Sequence, residues 1–121
     1  MSNIVLVRGD DTGFDNQVLI NVSFIRELSL ENYKAKLTII NPTDVVKKYD
    51  ITNNSFTINL DKIITSTLEV GEHRCNIKLI NPNGQIKTVY NFNINVLDGY
   101  SELPKFTNEY TIEIKLDDEA N

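Results

Sequence analysis

Apolar and polar residues alternate with period two along most of the chain, the spacing of half-buried β-strands. The clearest runs cover residues 3–8, 17–25, 33–41, 45–51, 73–80 and 85–97, with a further run at Phe56, Ile58 and Leu60. In the second run Val18, Ile20, Val22 and Phe24 share a face opposite Asn21 and Ser23. In the third, Tyr33, Ala35, Leu37 and Ile39 oppose Lys34, Lys36 and Thr38. His73, Cys75, Ile77 and Leu79 oppose Arg74, Asn76 and Lys78, and Tyr90, Phe92, Ile94 and Val96 oppose Asn91, Asn93 and Asn95. Such patterning is that of strands with one face on a core and one in water. Lys47 and Lys48 place the short fourth run near a sheet edge, where charge discourages edge-to-edge pairing.

Turn chemistry separates the runs. Gly9-Asp10-Asp11-Thr12-Gly13, Asn41-Pro42-Thr43-Asp44 and Asn53-Asn54 are turn-forming, and Asn81-Pro82-Asn83-Gly84 is the strongest hairpin signal. Pro presets φ at the second turn position, and Gly supplies the left-handed φ that closes it. Residues 61–68 alone show some helical spacing, through Ile63, Ile64 and Leu68, with Asp61 positioned as a cap. Gly99, Ser101 and Pro104 form a linker-like stretch. Tyr110, Ile112, Ile114 and Leu116 then alternate with Thr111, Glu113 and Lys115.

The pattern predicts an all-β fold, an immunoglobulin-like antiparallel β-sandwich of about seven strands plus one extra C-terminal strand. Residues 1–98 form the sandwich, and residues 99–121 a linker, the extra strand and an acidic tail. That strand adds to a sheet edge, or pairs with another copy or a partner.

The 121 residues suit one domain. Hydrophobic residues make up 40% and charged residues 24%, ordinary for a globular chain, so disorder is expected only at the ends. Net charge is -5, and Lys and Arg form no basic run. Nucleic acid and anionic membrane surfaces are therefore not expected partners. Cys75 is the only cysteine, which excludes an internal disulfide and a thiolate metal cluster. No segment has the length to span a bilayer. The first residues lack the basic region of a signal peptide, so synthesis in the cytoplasm is expected.

Catalytic signals are sparse. His73 is the single histidine, and it shares an inward-facing run with Cys75 two residues on. Both are expected as core residues, and neither has a partner of the kind that nucleophilic catalysis requires. Asp10, Asp11 and Asp15 cluster in one loop, and Asp117, Asp118 and Glu119 in the tail. The loop spacing does not match the calcium-binding EF-hand, and both groups read as solvated. No enzyme activity, cofactor or metal site is expected. Arg8-Gly9-Asp10 spells an integrin-binding tripeptide but reads as the turn out of the first strand. The chain has no Trp. Tyr100, Phe106 and Tyr110, with Ile112 and Ile114, are the candidate partner contacts; packing of the last strand is the competing reading for the aromatic trio.

The order of these features resembles a known pattern over residues 5 to 97. Arg8-Gly9-Asp10 leads into an alternating strand, and Phe56, Ile58 and Leu60 lead into a short connector ending at Gly71. The strand that follows closes with Asn81-Pro82-Asn83-Gly84, then Lys87-Thr88 and an alternating strand ending near Val96. This is similar to the N-terminal immunoglobulin-like domain of phage baseplate upper proteins, with His73 where that family commonly has an aromatic. The resemblance implies a non-catalytic structural module of a phage or prophage tail, located in the virion. Its partners would be other tail or baseplate proteins or further copies of itself. The alternative is a surface or carbohydrate-binding β-sandwich module.

Overall fold

The computed structural model describes residues 3–7, 19–26, 29–40, 45–60, 64, 67–98 and 109–116. Eight strands follow one another along the chain: β1 (Asn3–Val7), β2 (Leu19–Ile25), β3 (Lys34–Ile40), β4 (Val45–Asp50), β5 (Ser55–Asn59), β6 (Gly71–Ile80), β7 (Ile86–Leu97) and β8 (Glu109–Lys115). They form a five-stranded sheet in the order β1-β7-β6-β3-β4 and a three-stranded sheet in the order β5-β2-β8. The fold is all-β. Among the described residues no helix is long and apolar enough to cross a membrane.

The alternation read from the sequence sets which side chains turn inward. Ala35, Leu37 and Ile39 of β3 and Cys75, Ile77 and Leu79 of β6 are buried from the larger sheet. Ile20, Val22 and Phe24 of β2 and Phe56 and Ile58 of β5 meet them from the smaller one, in a single core. Removing a Leu- or Ile-sized side chain from water stabilises by about 1.5–3 kcal/mol. Phe56 links the layers, its ring 5.9 Å from Phe24 and 5.2 Å from Tyr49 on β4.

β8 follows the expected boundary at residue 98. It pairs with β2 from Leu19↔Glu109 to Ile25↔Lys115, and Ile112 and Ile114 are buried in the shared core. Edge addition, one of the open alternatives for this strand, is the arrangement found. The pairing is also not purely antiparallel: β8 runs parallel to β2, and β1 runs parallel to β7.

Two turns follow their side-chain chemistry closely. Asn53 and Asn54 have φ of 55° and 56°. Thr52 and Ser55 exchange backbone hydrogen bonds of 2.9 and 3.1 Å around them. Positive φ at both central residues is the two-residue hairpin turn that Asn tolerates best after Gly. This turn carries the chain from β4 in one sheet to β5 in the other. At the β6–β7 hairpin, Gly84 takes φ 84° and its N–H donates to the Asn81 carbonyl at 2.9 Å. Asn81 Oδ1 accepts from the N–H groups of Asn83 and Gln85 at 3.0 and 2.9 Å.

Within the stretch of helical spacing at residues 61–68, Leu68 N–H donates to the Ile64 carbonyl at 3.3 Å. The expected cap at Asp61 lies outside the described residues, as do the loop at residues 9–13 and the Arg8-Gly9-Asp10 step.

Candidate functional site

The residues with the most reactive side chains are inside. His73 and Cys75 are each 2% exposed on the inner face of β6. His73 Nε2 lies 2.6 Å from the Glu69 carbonyl oxygen. A carbonyl only accepts, so Nε2 carries the proton there. The other ring nitrogen, Nδ1, is buried with no hydrogen-bond partner. Burial pushes the Cys75 thiol up to about 12, against a smaller lowering by a backbone hydrogen bond from Ile94. The thiolate is the reactive form, so this cysteine is chemically quiet at neutral pH.

Among the described residues no three His, Cys, Asp or Glu side chains gather as a metal-binding group. The loop aspartates Asp10, Asp11 and Asp15 and the tail acids Asp117, Asp118 and Glu119 lie outside the described residues.

The five candidate contacts divide. Tyr100 and Phe106 are outside the described residues. Tyr110 is half-buried, and its hydroxyl accepts from Val5 N–H on β1 at 3.4 Å. Ile112 and Ile114 are 5% and 3% exposed, so their side chains are covered by the chain's own core. What β8 presents outward is its far backbone edge, which has no strand beside it among the described residues. Unpaired edge groups of this kind template further pairing.

A groove of about 270 Å³ opens at the end of the sandwich beside the β6–β7 hairpin. Arg26, Tyr33, Leu79, Ile86, Val89 and Leu116 contribute to its walls. The Arg26 guanidinium stands 5.9 Å from the centre of the Tyr33 ring. Tyr33 is the single aromatic among the described lining residues.

The outer face of the larger sheet carries a feature absent from the sequence reading. Lys36 of β3 lies directly opposite Lys48 of β4 on one side and Lys78 of β6 on the other. These lysines are scattered along the chain, and only strand register aligns them. The outward alternation of Lys36 and Lys78 was visible in the sequence; the pairing that joins them to Lys48 was not.

Comparison with known proteins finds no matching family model and no matching curated protein.

Proposed function

We propose that this chain is an immunoglobulin-like structural module of a phage or prophage tail, associated with the baseplate, which works through protein-protein contacts. The observation that carries the non-catalytic part is the burial of His73 and Cys75. The two side chains best suited to general-base or nucleophilic work sit in the core, away from any substrate.

The strand order supports the immunoglobulin-like part. The run β4-β3-β6-β7 follows the C′-C-F-G order of a variable-type sheet, and β5-β2 follows the E-B order of the opposing one. β8 then stands where the first strand of such a domain borders B. The resemblance to baseplate upper proteins, with the Asn81–Gly84 hairpin it includes, supports the tail assignment.

Assembly contacts in this reading come from sheet edges and outer faces. The β8 edge is one candidate, since main-chain hydrogen bonds at an open edge give affinity to an added strand. A carbohydrate-binding reading has less support. The aromatic of the groove, Tyr33, has Arg26 over its ring, where a sugar would stack.

Immunogold labelling tests the proposal. Particles induced from the source organism are stained with antibody against this chain. Gold clustered at the tail end is the expected result, and unlabelled intact particles would remove the reading.

A further inference from the structure

The row Lys48–Lys36–Lys78 crosses three adjacent strands on one face. Like charges directly opposite one another in a sheet are destabilising. Edge protection accounts for Lys48 on the outermost strand β4. It does not account for Lys36 and Lys78, which lie on interior strands and are half-buried. Among the described residues none of the three has an ion-pair or hydrogen-bond partner for its side chain.

One row along, the same two strands do the opposite. Lys34 and Asp50 face each other across β3 and β4 and form an ion pair. The chain therefore has an acid at hand in one row and three cations without one in the next.

Among the described residues this face presents Lys34, Lys36, Lys48, Arg74 and Lys78 against Asp50 and Glu72. That is a local excess of three positive charges on a chain of net charge -5. The rest of the face is mixed: Thr38, Asn76, Asn91 and Asn93 on β3, β6 and β7 are polar, whereas Ile40, Val46 and Ile86 are exposed and apolar.

We infer that this face is a docking surface for an acidic sheet face of a partner protein. The match is one of spacing as well as sign. Neighbouring strands lie about 4.8 Å apart in any sheet, so a partner that carries carboxylates across adjacent strands meets the lysines one for one. Complementary charge across an interface steers encounter and fixes register. The inference rests on the assembly reading above and adds to it the partner's chemistry.

The test is a titration of the isotope-labelled chain, followed by amide chemical shifts, with poly-L-glutamate as the carboxylate probe and a DNA oligonucleotide as the competing polyanion. Shifts confined to β3, β4 and β6 are expected, weakening as salt rises. The triple variant Lys36→Gln, Lys48→Gln, Lys78→Gln should bind the probe at least tenfold more weakly and keep the wild-type spectrum elsewhere. Shifts at other sites, no shifts, unchanged binding by the variant, or tighter binding of the oligonucleotide would each overturn the inference. The titration uses the purified chain alone. Its failure leaves the particle labelling untouched, and absence from particles leaves the titration untouched.

Discussion

Tyr110 on β8 accepts a hydrogen bond through its hydroxyl from the backbone N–H of Val5 on β1, at 3.4 Å and across 105 residues of sequence. The two strands belong to different sheets and lie at the same side of the sandwich. β1 is an edge strand, and this contact gives one of its outward N–H groups a partner. The bond is long, beyond the usual range of about 2.7–3.2 Å, and therefore weak.

Tyr110→Phe keeps the ring and removes the acceptor. A typical net hydrogen bond contributes about 0.5–1.5 kcal/mol, and this one should sit near the lower value. Urea denaturation should show the midpoint falling with an unchanged slope. A loss above about 2 kcal/mol would mean that the hydroxyl does more than satisfy Val5.

Removal of β8 should be far more costly. Ile112→Ala should destabilise by about 2–5 kcal/mol, because it empties a buried site. A chain ending at residue 98 loses Ile112 and Ile114 together and leaves β2 paired on one side only, with β5. Circular dichroism on heating should show no cooperative transition near that of the full chain. A truncated chain with wild-type stability would mean that β8 is an accessory strand.

The inner faces of the strands were legible from the sequence because period two is local: each residue's side follows from its neighbours' polarity. His73, Cys75, Ile77 and Leu79 fall inward as the alternation predicts. The place of β8 was harder. Gly99, Ser101 and Pro104 suggested a boundary, whereas the alternation of Tyr110, Ile112 and Ile114 was already that of a core strand. The parallel pairings of β1 with β7 and β2 with β8 depend on contacts distant in sequence, as does the alignment of Lys36 with Lys48 and Lys78. No local pattern carries such register.

Cys75 predicts a pH dependence with a definite sign. Its thiol is raised from the usual 9.0 to about 12 by burial. Below the unfolded value both states hold the proton and the thiol has no effect on stability. Above it the unfolded chain loses the proton while the folded chain keeps it, so stability falls until the folded thiol also ionises. The loss is about 1.4 kcal/mol per pH unit within that window, on the order of 4 kcal/mol in total. Denaturation of wild type and Cys75→Ala between pH 8 and 12 (about the range of alkaline titration) isolates the effect. The difference between them should shift in the variant's favour as pH rises, and a constant difference would contradict the assigned burial.

Gly84→Ala tests the hairpin. A Cβ added at Gly84 meets nothing within 4 Å, so no steric overlap contributes. The cost comes from φ 84°, a left-handed conformation that disfavours an L-residue by about 1–2 kcal/mol. Thermal unfolding should show a loss of that size, with a spectrum unchanged beyond the turn. A neutral variant would mean that the turn relaxes to another conformation.

The measurement that tests the central claim most directly is quantitative mass spectrometry of intact phage particles purified after prophage induction in the source organism. A tail module that works by assembly should appear at many copies per particle, in fixed ratio to other tail proteins. A chain abundant in the lysate and missing from intact particles would contradict the account.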